Sequence, residues 1–126
     1  MKKPIRIFIC HENQKCRDSL QHLLKNSAGN DTRVVGEAGN YKDCQLWLVN
    51  SEADVVLINF PRRVRGTHLI MKGLVETFPD VKFITMSAFE TKYLLPIYNR
   101  VGVHKHFFYA DGLSELHEII SDSQTK

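Results

Sequence analysis

The 126-residue sequence has few of the features that mark membrane, secreted or metal-binding proteins. No apolar run approaches the roughly 20 residues that span a bilayer. The start, Met-Lys-Lys-Pro, lacks the apolar core and small-residue cleavage site of a signal peptide. The three cysteines (Cys10, Cys16 and Cys44) are an odd number with no CxxC or His-paired zinc spacing. These absences predict a cytoplasmic protein with reduced thiols and no membrane contact.

Strong charge is also absent. The formal net charge is +3, and the sequence has no Lys/Arg-rich stripe and no nucleic-acid-binding motif. We therefore expect this domain itself to bind no nucleic acid. Apolar residues make up 43% of the chain, which is enough for one packed core. We expect a single domain over residues 1–126, with an ordered core of about residues 4–122 and a short polar tail.

Five short apolar runs alternate with helical patterns along the chain. The predicted strands are residues 5–10, 33–38, 55–58, 81–86 and 104–109. Such alternation is typical of βαβ units, which place helices on both faces of a parallel sheet. The sequence therefore predicts an α/β fold with a doubly wound five-stranded parallel sheet.

The predicted helices follow from apolar residues at helical spacing. We expect two of them to bury the stripes Cys16, Leu20, Leu23, Leu24 and Tyr41, Cys44, Trp47, Leu48. The third spans residues 67–78, with Ile70, Leu74 and Phe78 facing inward. The fourth, over 91–100, contains Pro96, which must kink the helix or make it begin late. Apolar spacing from Leu113 to Ile120 predicts the last helix.

Polar side chains stand where most of the predicted strands end, which is where open α/β sheets place their binding sites. They are His11, Glu12, Asn59, Ser87 and Tyr109. Asn59 is notable because it ends the continuously apolar run of residues 55–58, which is typical of a strand covered on both faces.

These segments resemble the receiver domain of two-component response regulators over essentially the whole chain. In that family the first strand ends on two acids, the third on a phosphate-accepting Asp, the fourth on Ser or Thr followed by Ala, and the fifth on Lys. Here IRIFICHENQKCRDSL supplies His11-Glu12, DVVLIN supplies Asn59, FITMSA supplies Ser87-Ala88, and GVHKHFFYADGLSEL supplies Tyr109. The resemblance implies a flavodoxin-like topology with strand order 2-1-3-4-5. RVVGEAGNYKDC is also similar to receivers attached to helix-turn-helix outputs.

Three of the four charges that define the family's site are changed. An amide at Asn59 lacks the carboxylate that forms an acyl phosphate, and Tyr109 is a neutral group where the family has a Lys that stabilises phosphoryl charge. Magnesium would find one carboxylate, Glu12, with the Asn59 carbonyl and the softer His11 imidazole. We therefore expect an atypical receiver, or pseudo-receiver, with no Asp phosphorylation, no catalytic residue, no metal site and no cofactor.

Several of these positions have two interpretations. Asn59 either satisfies backbone groups at a strand end or fixes a neutral switch state, while His11-Glu12 is either a solvated pair or a proton- or metal-sensing pair. Ser87 is expected to make a simple hydrogen bond. The loop PRRVRG could bind an anion beside the pocket or present only solvated charge through Arg62, Arg63 and Arg65.

The function that the sequence favours is signalling by protein contact. The resemblance implies a partner face made of the fourth helix, fifth strand and fifth helix, with Pro96 in the helix and Phe107 at the aromatic position that reorients on activation. The partner would be a sensor kinase, an output domain or a second copy of the chain. Two alternatives are a small-ligand or anion-sensing module and the regulatory domain of a helix-turn-helix transcription factor. An enzyme would need a nucleophile-base pair, and the sequence offers none.

Overall fold

The computed structural model describes residues 3–26, 31–59, 66–87 and 95–125. Its strands are β1 Ile5–Cys10, β2 Thr32–Ala38, β3 Val55–Asn59, β4 Lys82–Ser87 and β5 Lys105–Phe108. The helices are α1 Gln14–Asn26, α2 Tyr41–Leu48, α3 Thr67–Thr77, α4 Leu95–Val101 and α5 Gly112–Ser123. A 3-10 turn, Tyr109–Asp111, joins β5 to α5. The predicted elements are present, and most strand bounds move by one residue. Residues 91–94 of the predicted fourth helix lie outside the described residues.

The five strands form one parallel sheet in the order β2-β1-β3-β4-β5. This confirms the predicted doubly wound topology. Because β1 lies between β2 and β3, the chain reverses its direction of travel across the sheet at the β1–β3 boundary. The carboxyl ends of all strands meet at one edge, which is where a site is expected in such a sheet.

The sheet is packed on both faces. Residues Val55 to Ile58 of β3 have no exposed surface, and they alternate between the two cores. One core lies beneath α2, α3 and α4 and contains Phe8, Val56, Ile58, Met71, Leu74, Phe83 and Tyr98. The other lies beneath α1 and α5 and contains Ile7, Ile9, Val55, Leu57, Ile84, Leu116 and Ile120. Double coverage explains why the β3 segment is continuously apolar.

The buried stripes of α1 and α2 are narrower than their sequences predicted. Leu23 and Trp47 are 46% and 61% exposed, and Cys16 is exposed as well. The expectation that these three side chains face inward was wrong. Only Leu20 and Leu24 of α1, and Cys44 and Leu48 of α2, are buried. The buried pair in each helix is spaced four residues apart, so each helix contacts the sheet along one line of side chains, and the flanking positions of the predicted stripe lie outside that contact.

At the opposite end of the strands, near their amino termini, an ion pair connects two of them. Arg6 Nη2 and Nε donate to the two carboxylate oxygens of Asp54 at 3.1 and 3.3 Å, and the Arg6 amide donates to the same side chain at 2.9 Å. Burial raises the pKa of Asp54, but the hydrogen bonds and charge of Arg6 outweigh it, so the net pKa is lowered. This pair ties β1 to the entry of β3, far from the carboxyl edge.

Within the described residues, no helix is both long and apolar enough to cross a membrane.

Candidate functional site

The carboxyl edge of the sheet is closed by a hydrogen bond between two uncharged side chains. The Tyr109 hydroxyl donates to Asn59 Oδ1 at 3.0 Å, which joins the end of β3 to the turn after β5. Tyr109 is partly buried, its ring contacts Phe107 edge-to-face, and burial raises the pKa of its hydroxyl to about 12. The hydroxyl therefore stays protonated at neutral pH and remains a donor to the amide oxygen.

A second tyrosine bonds the same residue from another element. The Tyr41 hydroxyl, at the start of α2, donates to the backbone oxygen of Asn59 at 3.2 Å. Burial is the main cause that raises the pKa of Tyr41. Tyr41 was predicted only as part of the apolar stripe of α2. Its contact with the site depends on how α2 lies over β1 and β2, which local sequence does not reveal.

The His11 side chain, directly after β1, is hydrogen-bonded within its own segment. His11 is 9% exposed, and its Nδ1 accepts a hydrogen bond from the Asn13 amide at 3.0 Å. Burial is the main cause that lowers the pKa of His11; the charge of Glu12 opposes it, and the charge of Arg17 acts in the same direction as burial. Glu12 is exposed, and among the described residues it makes no hydrogen bond to Asn59. The pair therefore stands beside Asn59 without being hydrogen-bonded to it.

Ser87, at the end of β4, is hydrogen-bonded to β5. Its hydroxyl lies 2.9 Å from Nε2 of His106, and the buried Thr85 hydroxyl lies 2.6 Å from Nδ1 of the same ring. The simple hydrogen bond expected of Ser87 is thus present, but its partner is a residue that was not predicted to belong to the site. Strand alternation could have indicated it, because His106 and Phe107 must point to opposite faces.

The remaining predicted residues occupy different environments. Phe107 is 4% exposed and packs in the core beneath α1 and α5, whereas the expectation placed it on a partner face. The ring of β5 that contacts α4 is that of His106, which stacks on Tyr98. Pro96 is exposed in the first turn of α4, where its missing N–H costs no helical hydrogen bond. The predicted anion contacts lie outside the described residues: Arg62, Arg63 and Arg65.

The residues at this edge do not fit the magnesium ion that the resemblance implies. The Asn59 side-chain and backbone oxygens and the His11 Nδ1 each already accept a hydrogen bond within the protein. A hard divalent cation needs several such oxygens turned toward one point. Across the described ranges, no group of three or more His, Cys, Asp or Glu side chains is arranged to hold a metal.

No protein-family model matches the sequence, and no curated protein matches it significantly. Solved structures do match the fold. A DNA-binding response regulator of the LuxR family from Staphylococcus aureus superposes with a TM-score of 0.81 at 14% identity, over 96% of this chain and 99% of that chain. The chain has the receiver fold.

Two further solved structures share this receiver fold. The match to a chain of the CheX-CheY-BeF3-magnesium complex from Borrelia burgdorferi has a TM-score of 0.81 at 12% identity and covers 98% of this chain and 91% of that chain. The match to the RcsB response regulator of Salmonella typhimurium has a TM-score of 0.82 at 13% identity. It covers 98% of this chain and 62% of that longer chain. At these identities the similarity shows a shared backbone fold.

Proposed function

We propose that this chain is a receiver-type signalling domain that acts by protein contact and forms no acyl phosphate at the end of β3. The observation that carries the proposal is the 3.0 Å hydrogen bond from the Tyr109 hydroxyl to Asn59 Oδ1. It joins two uncharged groups at positions where the resembling family has a carboxylate and an ammonium group. The edge of the sheet is thereby held together without the charges that phosphoryl chemistry needs.

The chemistry of the individual groups supports the same proposal. An amide is not a nucleophile for phosphorus. The phenol of Tyr109 is neutral at pH 7, as tyrosines ordinarily are, and burial raises its pKa further. The described side chains do not converge on a magnesium site. The one described serine–histidine contact, between Ser87 and His106, has a buried serine and a ring whose other nitrogen is already bonded to Thr85. We therefore propose no enzymatic activity and no cofactor. The proposed output is binding: a protein partner recognises a surface of the folded domain in its particular conformation.

Two structurally similar proteins support the class of partner that we propose. One matching structure is named as a CheX-CheY complex and another as a DNA-binding response regulator. We propose that the partner of this chain is a protein, namely a sensor kinase, an output domain or a second copy. Light scattering coupled to size exclusion tests the last of these. A mass that stays monomeric at high micromolar concentration would exclude self-association.

Intact mass after incubation with magnesium and a small acyl-phosphate donor tests the absence of phosphorylation. We expect no phosphoryl adduct on the wild-type chain, with an Asp-containing receiver treated in parallel to verify the reagent. The Asn59→Asp variant is the matched control, because it restores a carboxylate in the same backbone position. A wild-type adduct that localises to the carboxyl edge of the sheet would overturn the proposal.

Anion sensing is a second candidate function, favoured by one observation: three arginines follow β3 within a few residues of Asn59. A small anion that binds the folded state would raise its melting temperature by an amount that grows with the logarithm of the anion concentration once that concentration exceeds Kd. We would measure thermal shifts with phosphate and sulfate at constant ionic strength, using Arg62→Gln/Arg63→Gln as the control variant. A shift that survives this double substitution would argue against an arginine-bound anion.

A further inference from the structure

The His106 ring is held on three elements at once. Its two nitrogens lie 2.6 Å from the Thr85 hydroxyl and 2.9 Å from the Ser87 hydroxyl, both on β4. One face stacks on Tyr98 of α4, with ring centroids 5.3 Å apart and planes 23° apart. Phe108, two residues along β5, meets the ring edge-on at 4.6 Å. These contacts bring β4, β5 and α4 together around one side chain.

The ring is suited to be neutral in this position. A neutral imidazole has one N–H donor and one bare nitrogen, and a hydroxyl can serve either of them. The two hydroxyls therefore satisfy both nitrogens without any charge. Burial lowers the pKa of His106 to about 4, which agrees with that pairing. None of the four described side chains that contact the ring is a carboxylate or a cationic group.

We propose that His106, with Thr85, Ser87 and Tyr98, forms a latch that holds α4 against β4 and β5 in a single arrangement. The latch keeps the Ser87 hydroxyl bonded toward β5, whereas the tyrosines that bond Asn59 form a separate network. The conformation of the α4–β5 side is then set by contacts that do not involve the Asn59 pocket. That this side receives a partner rests on the proposed function; the latch itself does not.

Local hydrogen exchange tests the mechanical role of the latch. His106→Phe keeps a ring that can stack on Tyr98 and removes both hydrogen-bonding nitrogens. The loss of two hydrogen bonds is expected to speed exchange of the α4 and β5 amides by about tenfold or more relative to β1 amides. Equal acceleration throughout the protein, or none in α4 and β5, would refute the latch.

A matched control and a milder variant keep this test decisive. Tyr41→Phe also removes one hydroxyl hydrogen bond, but at the Asn59 backbone oxygen, so its α4 amides should exchange at the wild-type rate relative to β1. Ser87→Ala removes one of the two hydroxyls and should accelerate α4 and β5 exchange by a smaller factor than His106→Phe. If His106→Phe fails to fold, the Ser87→Ala result alone decides, and unchanged α4 and β5 exchange there overturns the proposal.

The wild-type ring can be observed directly by NMR. Long-range proton–nitrogen spectra distinguish a protonated from a bare imidazole nitrogen. We expect His106 to show one of each throughout the range from pH 7 to pH 5. A His106 ring that becomes protonated on both nitrogens within that range would refute the latch. These measurements use the protein alone, without a partner. They can therefore refute the latch without refuting the protein-contact proposal, and a failure of the protein-contact proposal would leave the latch intact.

Discussion

The hydrogen bond between Tyr109 and Asn59 gives the sharpest quantitative prediction. Tyr109→Phe removes the hydroxyl and leaves Asn59 Oδ1 without this donor, at a partly buried position. A neutral hydrogen bond contributes about 1 kcal/mol to stability. With a urea m-value of about 2 kcal/mol/M, the unfolding midpoint should fall by roughly 0.5 M at an unchanged slope.

A double-mutant cycle isolates the contribution of this contact. In the background of Asn59→Ala, which removes the acceptor, Tyr109→Phe should cost much less, which gives a coupling energy of about 0.5–1.5 kcal/mol. Tyr41→Phe is the matched control, since its hydroxyl bonds the Asn59 backbone oxygen and not the side chain. It should show little coupling to Asn59→Ala. A coupling near zero for Tyr109, or equal coupling for both tyrosines, would refute the proposed closure of the pocket.

Two further predictions concern the sheet edges and the helices. The lowered pKa of Asp54 means that the unfolded state takes up the proton first as pH falls. The wild-type advantage over Asp54→Asn in urea unfolding should therefore be full above pH 3.8 and shrink as pH falls through the folded pKa; a constant difference would contradict this. On α2, Trp47→Ser should change stability by less than about 0.5 kcal/mol, because Trp47 is exposed. Leu48→Ala should lower stability by about 2–5 kcal/mol, because Leu48 is buried. Similar losses for the two variants would refute the assigned orientation of the helix.

The sequence by itself determined the alternation of strands and helices. The β3 segment is apolar at every position from Val55 to Ile58 because both of its faces are covered, and that pattern alone indicates a central strand of a parallel sheet. The choice of Asn59 as the residue that ends this strand was equally visible. An amide carries its chemistry wherever the chain places it, so the expectation that Asn59 accepts no phosphate rests on residue identity alone.

Local periodicity did not determine which side chains the helices bury. Trp47 and Leu48 are neighbours in the predicted stripe of α2, but only Leu48 reaches the core. Hydrophobicity indicates that a residue favours burial, whereas its actual exposure depends on how much of the sheet lies under the helix. A short helix above β1 and β2 has room to bury one line of side chains, and the rest remain at the surface.

Only the tertiary structure decided which residues bond to one another at the carboxyl edge. Asn59 meets Tyr109 from 50 positions away and Tyr41 from 18, and His106 reaches Ser87 across the β4–β5 pair. These pairings depend on parallel register and on which face of β5 each side chain occupies, and a shift of one residue would exchange His106 with Phe107. The sequence names the groups that a site can use, and the packing of separate elements decides which of them meet.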